Sequence, residues 1–136
     1  SIDELLAAAS IGLALIEPTP IGEVIVAERV AEKGGKALST IRRTRPGERF
    51  TRYESNNKAF SRVTTRGGVR PGTYAAPRTD GLVPVQNRVS VYNLPDPAIP
   101  RTDVYSLSPP PGTLIVGPRP VMGGTGNEVL FPWGFP

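Results

Sequence analysis

The sequence contains no cysteine and no histidine. The first absence excludes disulfides and thiolate metal sites, and leaves the redox compartment open. The second removes the usual general base, the Ser-His-Asp triad and nearly all zinc chemistry. Any reaction must therefore run on Asp, Glu, Arg, Lys, Tyr, Ser, Thr or Asn. Lysine is scarce as well, with 3 residues against 13 arginines. The basic excess is thus one of planar groups that grip phosphate and carboxylate with two donors at once. Such an excess fits either a solvated surface or a phosphate-bearing partner, a nucleotide or a nucleic acid. No apolar run is long enough to span a bilayer; the stretch from Leu5 to Ile16 falls short. It also lacks the basic leader and cleavage site of a signal peptide.

At 136 residues the chain fits one domain with a short appendage. Ser1 in place of a starting methionine predicts a piece cut from a longer protein. Residues 1–38 carry six acids and three bases, a net −3, whereas residues 39–136 carry thirteen bases and six acids, a net +7. This asymmetry predicts two parts, 1–40 and 41–136. The first reads as a helical hairpin. "SIDE" forms a capping box ahead of "LLAAASIGLALI", and "EPTP" stops that helix. Thr19 and Pro20 start a second helix through "IGEVIVAERVAEK", which Gly34 and Gly35 end.

The second part shows no long 3.6-residue period. It carries short β-prone runs, "RFTRYES", "AFSRVTT", "GTYAAP", "NRVSVYNL", "TDVYSL", "TLIVG" and "EVLFP", separated by Gly and Pro clusters. Prolines 95, 97, 100 and 109–111 make extended connectors, and "PPPG" reads as a rigid loop. The expected class is α+β: the helical hairpin, then a compact, mainly antiparallel β-rich core.

Three stretches hold candidate functional residues. In "PGERFTRYES", alternation sets Phe50, Arg52 and Glu54 on one face of a strand and Thr51 and Tyr53 on the other. An arginine beside an inward phenylalanine needs an anion, either Glu54 in an edge strand or a ligand phosphate. In "GGVRPGTYAAP", the glycines allow close backbone approach and lead to the hydroxyl of Thr73 and the ring of Tyr74. The alternative there is a plain hairpin turn with a packed tyrosine. In "GGTGNEVLFP", Gly123, Gly124 and Gly126 make a loop that can reshape around a substrate, with Asn127 and Glu128 where it becomes an apolar strand. Glu128 is either an acid aimed by that strand or a strand-end acid facing water.

The order of these elements resembles the ADP-ribosyltransferases. They share an arginine on a first strand, a Gly-Thr-aromatic strand in the middle and a glutamate opening a late strand after a glycine loop. "GERFTRYES" and "GGVRPGTYAAP" are also similar to TNT-type NAD glycohydrolases. The resemblance runs from about Pro46 to Phe135. Both groups are common as C-terminal warheads of polymorphic bacterial toxins, where a short apolar pretoxin helix often precedes them. It implies an ADP-ribosyltransferase-like core and a toxin that consumes NAD as a substrate, without a metal. The toxin would be secreted or delivered by contact into a target cell, and held in check at home by a cognate immunity protein. The acceptor would be RNA, protein or water. By residue, Glu128, with Asn127 beside it, would be catalytic. Arg52, its neighbour Tyr53, Thr73 and Tyr74 would hold NAD. Two departures stand out: Gly126 replaces the Glu or Gln of arginine-modifying transferases, and Glu128 stands where TNT-type enzymes use glutamine. From the residues alone a histidine-free ribonuclease remains open, with arginines 62, 66, 70 and 78 on phosphates. So does a non-enzymatic binding domain.

Overall fold

The computed structural model describes residues 13–18, 24–30 and 35–136, with side chains from residue 40 onward. Three strands come first: β1 (Leu13–Pro18), β2 (Val24–Val30) and β3 (Gly35–Arg43). They are followed by β4 (Phe50–Glu54), β5 (Thr73–Pro77), helix α1 (Val85–Tyr92), β6 (Asp103–Leu107), β7 (Leu114–Pro120) and β8 (Asn127–Phe131). All strand pairs are antiparallel, and the sheet runs β1-β2-β3-β7-β8-β5-β4-β6. Among the described residues no helix is long and apolar enough to cross a membrane.

The expected helical hairpin is overturned wherever its residues are described. Leu13–Pro18 and Val24–Val30 are paired strands rather than helices. "VIVAERV" is rich in β-branched residues, whose restricted χ1 favours the pleated surface, and β2 pairs with β3 over seven residues. The capping box at Ser1–Glu4 and the chain around Pro20 lie outside the described residues. The division at residue 40 falls inside β3, which carries the chain from the acidic part into the basic one.

Within the second part, "RFTRYES", "GTYAAP", "TDVYSL", "TLIVG" and "EVLFP" correspond to β4, β5, β6, β7 and β8. Two stretches differ. "AFSRVTT" holds a short 3₁₀ turn at Lys58–Phe60 and an isolated bridge between Val63 and Val69. "NRVSVYNL" is helical, not extended. Pro84 precedes α1, and Asn93 ends it in the left-handed conformation with its N–H on the carbonyls of Ser90 and Val89. The helix survives its β-branched residues because Arg88 and Tyr92, four apart, point into the fold together.

Strand alternation divides the core. On one face Phe50, Ala75, Ile115, Val129 and Phe131 meet Val69 and Phe135, the latter two from the 63–69 hairpin and the C-terminal segment. The ring of Phe131 lies edge-on to Phe50 and Phe135, both at 5.2 Å. On the other face Ile41, Val116 and Leu130 pack under Tyr74, while Tyr53, Ala76 and Val121 lie against Tyr92 of α1. Full burial of such side chains stabilises the fold by about 1.5–3 kcal/mol each.

The 123–126 loop serves this packing. The N–H groups of Thr125 and Gly126 both donate to the Val91 carbonyl, at 2.9 and 3.0 Å, and Asn93 Nδ2 donates to the Met122 carbonyl. A Cβ on Gly126 would lie 2.5 Å from the Tyr92 ring. The glycines therefore bring the loop close to α1. Gly126→Ala is expected to destabilise the fold by about 1–3 kcal/mol through overpacking, read as a lower melting temperature. An unchanged melting point would show that Tyr92 moves aside without strain.

Candidate functional site

β4 and β5 pair only at Phe50–Pro77 and Thr51–Ala76. Beyond that point β4 keeps to β6, and the first half of β5 keeps to β8. The strands splay, and polar side chains occupy the gap. Arg52 donates from Nε to Glu54 Oε2 and from Nη1 to the Tyr74 carbonyl, both at 3.0 Å. Glu54 also accepts from Ser61 Oγ and from the Arg62 N–H. Its burial would raise the carboxyl pKa. The bonds from Ser61, Arg62 and Arg52 outweigh that and hold it below the ordinary 4.5. Behind them Arg62 Nε donates to Thr73 Oγ1 at 2.9 Å, and that hydroxyl donates to the Arg70 carbonyl at 2.6 Å.

A shallow cleft of about 40 Å³, partly open to solvent, lies beside this gap. Thr51, Arg52 and Tyr53 of β4 line one side, Tyr74, Ala75 and Ala76 of β5 the middle, and Glu128 of β8 the far side, with Tyr92 and Leu94 above. Arg52 and Glu128 both border the gap, but by alternation Arg52 leaves β4 on the face of Phe50 whereas Glu128 leaves β8 on the face of Leu130 and Tyr74. Arg52 is not on an edge strand, since β6 lies outside β4. Its side chain stays 20 % exposed, and its Nη2 makes no hydrogen bond among the described residues.

Glu128 does not simply face water. It stands directly opposite Arg119 in the β7–β8 register, with Arg119 Nη2 3.1 Å from Glu128 Oε1. The two side chains are 5 % and 12 % exposed. Just before it, Asn127 is held by Asp80, which accepts from both the Asn127 N–H and its Nδ2 at 2.8 Å. Asp80 Oδ2 also accepts from the Tyr92 hydroxyl at 3.0 Å. Burial first, and then this bond to a carboxylate, pushes the Tyr92 hydroxyl pKa up. The start of β8, and so the backbone that carries Glu128, is tied to α1 and to the 78–80 turn.

The remaining candidates are distributed differently. Tyr74 is half-buried and lines the cleft. Tyr53 lines it as a packed wall: its ring stacks on Tyr92 at 5.6 Å, carries Arg88 at 4.6 Å over its other neighbours, and its hydroxyl accepts from the Val83 N–H. Thr73 is fully buried, spends its hydroxyl on Arg62 and Arg70, and does not line the cleft. Asn127 does not line it either. Arginines 62, 66, 70 and 78 all lie off the cleft, and Arg62 is committed to Thr73 and to the Pro71 carbonyl. Sequence reading missed Arg119 and Asp80. The costly arginine inside "LIVGPRP" was a signal for the first; nothing local marks the second.

Because the folded pKa of Glu54 is depressed, its contribution to stability is present above the ordinary carboxylate range. It disappears as pH falls through the folded value. Glu54→Gln is therefore expected to melt lower than the native chain at pH 7 and to lose less stability between about pH 5 and 3. Parallel melting curves across that range would remove the network from the acid response. A comparison of the chain with family models, with curated proteins and with solved structures finds no match.

Proposed function

We propose that the chain is an NAD-consuming toxin domain that cleaves the nicotinamide–ribose bond and transfers ADP-ribose to a macromolecule. What supports the reading is the placement of Arg52 and Glu128 on one cleft, with Tyr74 between them, on the neighbouring strands β4, β5 and β8. The family resemblance draws its pattern from the same three strands.

The chemistry suits a chain without histidine. The nicotinamide nitrogen is cationic in NAD and leaves neutral with both electrons of the glycosidic bond. No general acid is needed. The positive charge passes to the ribosyl carbon, in an oxocarbenium-like transition state comparable to that of glycoside hydrolysis. An acceptor oxygen or nitrogen then attacks that carbon and gives up its proton. Glu128 faces the developing cation and accepts a hydrogen bond from a ribose hydroxyl. Arg52 uses its remaining guanidinium donors on the diphosphate. The cleft is shallow and partly open to solvent, so the nicotinamide-riboside end would rest against its mouth while the adenosine extends outward. Exposed arginines 43, 45, 49, 66, 70 and 78 make a polyanionic acceptor such as RNA favourable through counterion release. A toxin of this kind, delivered into a neighbouring cell, requires a cognate immunity protein in its producer.

Glu128→Gln is the milder variant: like Glu128→Ala it removes the charge facing Arg119, but it keeps the side chain's shape and an acceptor oxygen beside the guanidinium. Glu128→Gln is expected to keep the fold and lose roughly a hundredfold or more in nicotinamide release, followed by chromatography. Wild-type turnover in that variant would remove Glu128 from the mechanism. Arg52→Ala is expected to weaken NAD binding about tenfold, the loss of one charge-assisted contact, measured by calorimetry on protein whose melting curve remains cooperative. Unchanged affinity would refute the diphosphate role. Cleavage of RNA without NAD would instead favour a ribonuclease.

A further inference from the structure

We propose that Arg119 is a positioning residue that aims the Glu128 carboxylate into the cleft; this rests on the reading of Glu128 as the group facing the ribosyl cation. Arg119 does not line the cleft and Glu128 does, so any influence on the reaction passes through the carboxylate.

The placement comes from an irregularity in β7. Val116 stands opposite Leu130. In a regular antiparallel ladder, two residues further along β7 would set Pro118 opposite Glu128. The register instead shifts between Val116 and Arg119, so that Arg119 opposes Glu128 and Pro120 opposes Asn127. One extra residue thus exchanges an imino acid for a guanidinium at the position facing the acid. A bulge re-aims side chains in this way, and bulges gather beside functional clefts. Gly117 makes this one possible. Its φ is +103°, a region that disfavours side chains, and a Cβ there would lie 2.8 Å from the Glu128 carbonyl oxygen.

The contact between Arg119 and Glu128 is one of charge and proximity. Arg119 Nη2 meets Glu128 Oε1 at 3.1 Å, and only 5 % of the arginine side chain is exposed. A buried cation at one carboxylate oxygen draws the Glu128 side chain toward β7 by charge and so limits the rotamers it can take. Lysine would supply the charge from a flexible stem. Asp80 pins the Asn127 backbone just before, so the acid is located from two sides, one through the main chain and one through its own oxygen.

The test is steady-state NAD consumption by the full chain as wild type, Arg119→Gln and Arg119→Lys, with melting curves for each. In Arg119→Gln, kcat is expected to fall about a hundredfold, the scale of a 1 Å misplacement, with KM for NAD nearly unchanged because Arg52 still holds the diphosphate. Arg119→Lys keeps the buried charge and guards against a failure to fold. It is expected to melt near the wild type yet lose kcat, by less than Arg119→Gln. A loss of fold stability alone would lower the folded fraction but would not produce a kcat defect in a fully folded lysine variant. An active wild type beside an equally active, folded Arg119→Lys overturns the positioning role and leaves the reaction standing. A wild type that leaves NAD intact overturns the reaction and this role with it.

Discussion

After two residue pairs, Phe50–Pro77 and Thr51–Ala76, the ladder between β4 and β5 stops, although both strands continue. Backbone carbonyls and N–H groups left in such a gap need partners. A side chain supplies one of them, as the Arg52 guanidinium takes the Tyr74 carbonyl, while Glu54 holds Arg52 in place and ties it to the Arg62 N–H of the 55–72 connection. The cleft exists because the strands part, and the strands can part because this polar network replaces the missing ladder. Arg52 therefore has two tasks. Two of its five donors hold the gap open, and the residue borders the cavity that the gap creates.

A second buried ionic element sits across the cleft. Buried ion pairs are poor stabilisers, since an apolar pair of similar volume commonly does as well. Stability alone gives no reason to set Arg119 against Glu128 between the apolar pairs of β7 and β8. The proposed role of Glu128 would supply one, because an acid that must stay charged at low exposure needs a cationic partner. Arg88 is a contrasting case. It is equally buried but spends Nε on the Val83 carbonyl, Nη1 on the Arg101 carbonyl and its face on Tyr53. It ties the 83–101 excursion to the sheet and faces no carboxylate among the described residues.

The legible parts of the sequence were those governed by local alternation. "RFTRYES" declares its strand by alternation, "GTYAAP" and "EVLFP" as short β-prone runs set off by Gly and Pro, and the residues singled out on two of them, Arg52 and Glu128, border one gap. The illegible parts depend on distant partners. "NRVSVYNL" has the composition of a strand, yet it is a helix because Arg88 and Tyr92 find their partners on Tyr53 and Asp80. "VIVAERV" was assigned a helix from its caps, although its β-branched residues already argued otherwise. Thr73 carried the right hydroxyl for a ligand contact, but the Arg62 guanidinium claims it from behind. Arg119 could not be placed from spacing, because its position opposite Glu128 depends on one extra residue in β7.

The Arg119 pair also limits how Glu128 can act. A lone carboxylate would stabilise a ribosyl cation through its field at some distance. A carboxylate whose charge is largely matched by a guanidinium 3.1 Å away presents a dipole instead, and a dipole's field falls off faster than that of a single charge. In the proposed reaction its effect would concentrate in direct contact, a hydrogen bond to a ribose hydroxyl that strengthens as the ring becomes cationic. Contact of that kind is intolerant of misalignment. It places the demand on the elements that fix the acid, the β7 bulge and the Asp80 clamp, more than on the number of charges in the cleft. The tyrosines divide in the same way. Tyr53 and Tyr92 are locked against each other and shape the wall, which leaves the half-buried ring of Tyr74 as the aromatic surface beside the acid for a flat leaving group to rest on.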